Sequence, residues 1–251
     1  MSGHSKWSTI KRKKGAADAR RGQVFTRLAR EISIAARAGG GDINANFRLR
    51  IAVDKARGQN MPKDNIERAI QRGTGEGKDG GGLEEVMYEG YAPHGIGLLL
   101  NCVTDNRNRA VAEIRHVLTR YGGNMGEAGS VSWQFNRQAY YSFPLGKHDP
   151  DKIFELAVEA GADDVLFEDE YAEIIGPVDA FKEISDQLNA AKITPEEAEL
   201  RMVPTNEIEL NPEDTLQIMR VIEALEELDD IQNVFHNLKI SEEALAALEA
   251  E

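Results

Sequence analysis

The stretch Gly73-Thr-Gly-Glu-Gly-Lys-Asp-Gly-Gly-Gly82 divides the chain into two parts of different composition. It holds six glycines in ten residues, which is typical of a flexible linker between domains. Positions 1–78, which include the first six residues of this stretch, carry 18 Lys and Arg against 7 Asp and Glu, a net charge of +11. Positions 79–251 carry 12 against 36, a net charge of −24. This asymmetry predicts one module that binds a polyanion and another that repels it.

Upstream of the glycines, the apolar residues follow the spacing of α-helices. The first run ends at Gly39-Gly40-Gly41, and its apolar positions are Val24, Phe25, Leu28, Ile32 and Ala35. Two further helices are predicted over residues 44–57 and 62–73, and the second begins with Pro62, a favoured residue at the first helical position. Residues 1–78 are therefore predicted to form a basic, helical, nucleic-acid-binding domain.

Downstream of the glycines, strands alternate with helices. Residues 137–205 predict a complete β-α-β-β-α-β set, the ferredoxin-like arrangement. The flanking segments 79–136 and 206–251 predict a second, discontinuous module of the same kind, with the first inserted into it. Its strands are expected at residues 96–104, 131–135, 207–210 and 231–238, after an extended run at 83–91, and a last helix is expected from Ser241. The predicted fold class is α+β: an N-terminal helical module and two ferredoxin-like modules.

No catalytic or metal-binding motif is recognisable in the sequence. The five histidines are scattered, and Gly77-Lys78 is followed by Asp79, where a P-loop needs Ser or Thr. Cys102 lies in an apolar strand and is interpreted as a small buried residue. The adjacent pairs Asp163-Asp164 and Asp229-Asp230 are interpreted as solvated turn residues. We therefore expect neither an enzyme nor a bound metal or cofactor.

Compartment and membrane association follow from two further features. A single cysteine excludes a disulfide framework within the chain and fits a reducing cytosol. No window approaches eighteen consecutive apolar residues, which excludes a membrane-spanning helix. The sequence predicts a cytoplasmic protein without a membrane or small-molecule partner.

The strongest positive signal is a concentration of bases near the start of the chain. These candidate phosphate-binding residues are Lys6, Lys11, Arg12, Lys13, Lys14, Arg20, Arg21, Arg27, Arg30 and Arg37. Phosphate binding requires many accessible cationic donors, and ten bases within 37 residues supply them. The alternative is a solvated face with a basic end. The pattern specifies phosphate backbone rather than base sequence, so it does not separate DNA from RNA.

Two segments of the acidic part offer further candidates. Thr104-Asp-Asn-Arg-Asn-Arg109 places Arg107 and Arg109 at a strand-to-helix junction, where free helix N–H groups favour an anion. The alternative is ordinary capping by Asp105 or Asn106, with both arginines pairing to nearby acids. The loop Gly122–Ser130 is either a mobile contact loop or a connection that needs glycines with positive φ, and we favour the latter.

Five motifs resemble those of the YebC/PmpR family, which includes the mitochondrial translational activator of cytochrome c oxidase. They are Gly3-His-Ser-Lys-Trp7, Asn60-Met-Pro-Lys-Asp-Asn-Ile-Glu-Arg-Ala-Ile70, Tyr88-Glu-Gly-Tyr91, Thr104-Asp-Asn-Arg-Asn-Arg109 and Gly129-Ser-Val-Ser-Trp-Gln-Phe135. The resemblance implies three domains and a cytoplasmic protein, either a DNA-binding transcriptional regulator or a ribosome-associated factor that aids translation. It assigns no catalytic residues.

Charge and resemblance together lead to one expected function with two alternatives. We expect a non-enzymatic regulator that places its basic helical domain on the phosphate backbone of DNA. The first alternative is a translation factor that contacts ribosomal RNA or tRNA on the ribosome. The second is an enzyme acting in a cleft between the α+β modules.

Overall fold

The computed structural model describes residues 17–75, 82–168, 171–241, 243, 244 and 246, with side chains from residue 22 onward except at 168. These residues fall into two compact units. The helix–sheet unit comprises the residues up to Ser132 together with Glu213–His236. The insert unit comprises Trp133–Pro212 and the residues from Asn237 onward. The division into domains 1–78, 79–136 plus 206–251, and 137–205 stays a prediction.

The described elements follow one another as helices first and mixed strands and helices afterwards. The helices are α1 (Ala17–Gly39), α2 (Phe47–Gly58), α3 (Lys63–Thr74), α4 (Arg107–Arg120), α5 (Pro150–Glu159), α6 (Phe181–Ala190) and α7 (Pro212–Glu226). The strands are β1 (Glu84–Tyr91), β2 (Gly97–Thr104), β3 (Asn124–Met125), β4 (Phe135–Pro144), β5 (Asp164–Glu168), β6 (Tyr171–Gly176), β7 (Glu197–Pro204), β8 (Ile208–Glu209), β9 (Ile231–His236) and β10 (Leu238–Lys239). The predicted α+β class is confirmed.

Helices α1, α2 and α3 pack around a shared apolar core in the helix–sheet unit. Its fully buried members include Ile32 and Ala35 of α1 and Leu49 and Val53 of α2. Gly73 of α3 lies against α1, where a Cβ atom would come within 2.3 Å of the Ser33 carbonyl oxygen. The helical spacing read from the sequence therefore identifies the inward face of α1 correctly at Leu28, Ile32 and Ala35, whereas Val24 is exposed.

The sheet of the helix–sheet unit has the strand order β3-β1-β2-β9, and every neighbouring pair is antiparallel. In chain order this is 3-1-2-4 with the connectivity β-β-α-β-α-β, so the predicted β-α-β-β-α-β set is wrong for this sheet, and two predicted strands are wrong with it. Residues 131–135 do not form a strand of this sheet, because Ser132–Gln134 is a 3-10 turn and Phe135 begins β4. Residues 208–209 pair instead with β10 in a separate two-stranded sheet. Strands β3 and β1 occupy the two positions of the sheet that those segments were expected to fill.

The insert unit forms the β-α-β-β-α-β set that the sequence predicts. Its sheet has the order β5-β6-β4-β7, with antiparallel neighbours throughout. Tyr141 of β4 is buried, and its hydroxyl group hydrogen-bonds to the Phe181 carbonyl oxygen and to Ser185 of α6. The helix predicted from Ser241 lies largely outside the described residues. Among the helices that are described, none has the length and apolar character needed to cross a membrane.

Candidate nucleic-acid interface

The densest part of the predicted basic cluster is not covered by the structure. Lys6, Lys11, Arg12, Lys13 and Lys14 lie outside the described residues. Arg20 and Arg21 belong to α1, but their side chains are not among those described. The structure therefore places five of the twelve candidate side chains: Arg27, Arg30, Arg37, Arg107 and Arg109.

Arg30 and Arg109 meet at one buried carboxylate, that of Asp230. Arg109 Nη2 lies 2.7 Å from Asp230 Oδ2, and Arg30 Nη1 lies 3.3 Å from Asp230 Oδ1. The hydroxyl group of Thr104 donates a further hydrogen bond of 2.9 Å to Oδ2. Asp230 is only 2 % exposed, so its interpretation as a solvated turn residue is wrong. A carboxylate at this depth requires cationic partners, and the two arginines supply them.

The turn before β9 also receives other contacts from α1. Arg30 donates a hydrogen bond to the Asp229 carbonyl oxygen, and Gln23 Nε2 donates one of 2.8 Å to the Glu227 carbonyl oxygen. The side chain of Arg27 lies nearby and is half-buried. Burial lowers the pKa of Arg27, Asp229 raises it and Arg30 lowers it further. These polar contacts attach α1 to the turn between α7 and β9.

The junction before α4 is capped in the ordinary way. The Asn106 side chain accepts a hydrogen bond of 3.1 Å from the Arg109 amide, so it is the N-cap. Arg109 also lies 2.9 Å from Asp105, and its hydrogen bonds to Asp230 and Asp105 raise its pKa. Arg107 lies 2.5 Å from Glu84 of β1. The capping alternative therefore describes the local geometry, and the role of both arginines toward phosphate stays a prediction.

Arg37 lies at the end of α1, where its guanidinium group donates to the Leu83 carbonyl oxygen. Four of the five described candidates thus bind acceptors within the fold: Arg30, Arg37, Arg107 and Arg109. Contacts of this kind limit how freely these arginines can turn toward an external phosphate. A polyanion would have to compete with acceptors already in place.

A more accessible set of bases lies on α2 and α3, and the sequence prediction did not single it out. Its members are Arg57, Lys63, Arg68 and Arg72, all exposed. Arg68 and Arg72 stand one turn apart on α3, outside the face formed by the buried Ile66 and Ala69. Within the described residues Arg72 forms no ion pair or side-chain hydrogen bond. The helical period of α3 was the available signal, since the buried positions leave residues 68 and 72 pointing outward.

Glu89 joins two of the motifs that carry the resemblance, Tyr88–Tyr91 and Gly129–Phe135. Its buried carboxylate accepts hydrogen bonds from the amides of Gly129 at 2.7 Å, Val131 at 2.5 Å and Ser132 at 2.9 Å. Burial alone would raise the pKa of Glu89, but these bonds and one from the Ser132 hydroxyl group outweigh it and lower the pKa. These hydrogen bonds anchor the end of the loop Gly122–Ser130 to Glu89 of β1.

The glycines of the loop Gly122–Ser130 include residues with positive φ, as the favoured interpretation of the sequence requires. Gly122 and Gly129 have φ of 82° and 86°, a region that residues with a Cβ atom avoid.

The one cysteine of the chain is not a reactive site. Cys102 is fully buried in β2, and burial raises its pKa to about 12. A thiol in that state is unreactive at neutral pH, in agreement with its interpretation as a small buried residue. Among the described residues, no group of three His, Cys, Asp or Glu is arranged to hold a metal ion.

The fold and this surface define the class of the molecule: an α+β protein in which helices α2 and α3 present exposed bases beside an anchored sheet. Two family models match the chain, one described as the TACO1/YebC protein N-terminal domain over residues 5–76, the other as the TACO1/YebC second and third domain over residues 83–238. The chain belongs to the TACO1/YebC family.

Relatives and a solved structure agree with this membership. A probable transcriptional regulatory protein of Acidithiobacillus ferrooxidans is 53% identical over 250 residues, which cover 100% of this chain and 99% of the relative. One of Borrelia turicatae is 51% identical over 243 residues, covering 97% and 99%. The crystal structure of a conserved hypothetical protein from Aquifex aeolicus superposes with a TM-score of 0.83 at 40% identity, covering 90% of this chain and 93% of the other.

Proposed function

We propose that this protein is a non-enzymatic, cytoplasmic regulator of gene expression that binds DNA through its basic helical module. The observation that carries the proposal is the distribution of charge on that module. Residues 22–75 carry 10 Lys and Arg against 5 Asp and Glu, and residues 1–21 add seven bases against one acid. Such an excess of cations attracts a phosphate polymer.

Two further observations support the proposal. Several bases of α2 and α3 are exposed, so their charges are accessible to a ligand. Relatives at about half identity over the whole chain bear the name of probable transcriptional regulatory protein. This name supports a regulatory role, and the charge of the helical module supplies a way to reach DNA.

The exposed face of α3 favours one second candidate. Asp64 and Glu67 alternate there with Lys63, Arg68 and Arg72, and Lys63 lies 3.4 Å from Glu67. A helix that reads base edges in a major groove concentrates donors on its exposed face, and this face mixes the two signs of charge. Recognition of RNA by backbone and shape suits such a surface, which supports a translation factor acting on the ribosome.

The test is a salt titration of binding to promoter-length duplex DNA, run beside co-sedimentation with ribosomes. DNA binding that depends on sequence and survives physiological salt, without ribosome association, supports the transcriptional proposal. Ribosome association at that salt, with DNA binding weak and indifferent to sequence, favours the translation factor. Failure to bind either polymer contradicts both.

A matched pair of variants locates the interface. Reversing Lys11, Arg12, Lys13 and Lys14 to Glu is expected to abolish binding and leave the fold intact. Reversing Lys147, Lys152, Lys182 and Lys192 of the insert unit changes the net charge by the same amount and is expected to weaken binding far less. Equal losses would mean that total charge, rather than the helical module, controls binding.

A further inference from the structure

Helix α5 of the insert unit presents an apolar pair to solvent. Phe154 and Val158 are 51% and 52% exposed, and they stand one helical turn apart on the same side of the helix. The inward side of the helix is already complete, since Ile153 and Ala157 are buried. Single exposed apolar residues are common on protein surfaces, but two stacked at i and i+4 form the spacing with which helices bind helices.

An acidic row runs alongside this pair. Asp151, Glu155 and Glu159 follow one another at i, i+4 and i+8, next to Phe154 and Val158 around the helix. All three are exposed, and within the described residues none of them forms an ion pair. Helix α5 has therefore an outward surface of two parallel stripes, one apolar and one anionic.

Asp151 in the first turn suits the N-terminal end of the helix, but the rest of the acidic row is unfavourable for the helix itself. Like charges at i and i+4 repel, and the last turn of α5 contains Glu159 and no base, although the helix C-terminus favours cations. The surrounding unit intensifies this charge, since residues 133–212 carry 18 Asp and Glu against 6 Lys and Arg, a net of −12. A cationic ligand along the row would relieve both effects, whereas a nucleic acid would be repelled.

We infer that this outward surface of α5, formed by Phe154 and Val158 beside Asp151, Glu155 and Glu159, is a docking site for a basic amphipathic helix of a protein partner. The apolar stripe of the partner packs on Phe154 and Val158, and its Lys or Arg residues face the acidic row. The inference goes beyond the proposed function, because it gives the acidic part of the chain a protein ligand while the helical module binds nucleic acid.

A designed probe tests whether the surface recognises this chemistry. The full chain is titrated against a labelled fourteen-residue peptide of Leu and Lys with Leu at helical i, i+3, i+4 and i+7 positions, followed by fluorescence anisotropy. A peptide of the same composition, scrambled to remove that spacing, is the control ligand. The spaced peptide is expected to bind at least tenfold more tightly than the scrambled one. Equal binding by both peptides overturns the inference, since charge alone would then explain the attraction.

Three variants of the chain assign the binding to α5. Phe154→Ser with Val158→Ser removes the apolar stripe, and Asp151→Asn, Glu155→Gln and Glu159→Gln together remove the acidic row. Each set is expected to weaken binding of the spaced peptide at least tenfold. The matched control, Asp179→Asn, Glu183→Gln and Asp186→Asn, removes three acids elsewhere in the same unit and is expected to change affinity less than twofold. Circular dichroism establishes that each variant is folded, and equal effects of the two neutralised sets contradict the inference.

Photo-crosslinking in cells identifies the natural occupant. A benzoyl-phenylalanine replaces Phe154, and the same group at Asn189 on α6 is the control position. Crosslinking from position 154 to a basic helical segment of another protein supports the inference. A crosslink to a second copy of this chain, a crosslink to nucleic acid, or no crosslink above the control position overturns it.

Discussion

Arg109 and Asp230 are 121 residues apart in the chain, yet Arg109 Nη2 lies 2.7 Å from Asp230 Oδ2. Arg30 approaches the other oxygen of the same carboxylate from α1. One buried aspartate therefore joins the first helix, the start of α4 and the turn before β9. Arg30 and Arg109 therefore stabilise the fold, whether or not they also bind a ligand, because the aspartate could not stay buried without cationic partners.

The first prediction concerns the stability that this contact supplies. Asp230→Ala removes charge-assisted hydrogen bonds from Arg109 and Thr104 and is expected to lower the free energy of unfolding by about 2 kcal/mol. Asp105→Ala removes the exposed partner of Arg109 and is expected to cost less than about 0.5 kcal/mol. Urea denaturation measures both values. A similar loss of unfolding free energy for the two variants would show that the buried Asp230 contributes no more stability than the exposed Asp105.

The same contact shows where prediction from sequence succeeds and where it fails. Helix α1 and the insert sheet were predictable because their apolar periods are local, as the buried Ile32 and Tyr141 illustrate. The pairing of Arg30 with Asp230 was not, since nothing near either residue signals a partner on the far side of the sequence. The motif around Val131 alternates like a strand, but its amides bind Glu89 instead of a neighbouring strand. Long-range polar contacts therefore decided the features that the local pattern missed.

Glu89 predicts a dependence of stability on pH. Its folded pKa lies below the ordinary value of 4.5, so the unfolded chain binds the proton more readily. The stabilisation is complete above that ordinary value and is lost as the pH falls below it, through the folded pKa. Glu89→Gln is expected to lower stability at neutral pH by about 2 kcal/mol, through loss of charge-assisted bonds to three amides.

Unfolding of the wild-type chain and of Glu89→Gln between neutral and acidic pH provides the measurement. The difference between the two free energies is expected to shrink as the pH falls below the ordinary pKa of glutamate. A difference that stays constant across the range would mean that the carboxylate charge of Glu89 does not bind the loop.

Gly73 predicts a steric requirement for the helical module. A Cβ atom there would lie 2.3 Å from the Ser33 carbonyl oxygen and 2.8 Å from the Ala36 Cβ atom, too close for either α1 or α3 to remain in place. Gly73→Ala is expected to destabilise the chain by about 2 kcal/mol. Gly22→Ala is the control, because a Cβ atom at Gly22 of α1 meets nothing within 4 Å, and it is expected to stabilise by up to about 1 kcal/mol. Thermal unfolding measures the Tm of both variants. A change of Tm in the same direction for both would contradict the packing of α3 on α1.

Arg72 and Arg107 provide a test of which bases reach the phosphate backbone. Arg72 is exposed and unpaired within the described residues, whereas Arg107 is held by Glu84. If Arg72 contacts a phosphate, Arg72→Ala should reduce the slope of log K against log salt by about 0.9 on duplex DNA, or about 0.7 on a single strand. Arg107→Ala should change that slope less, because its charge is already balanced. Measuring both slopes by fluorescence anisotropy separates them, and a larger change for Arg107 would place the interface at the start of α4 instead of on α3.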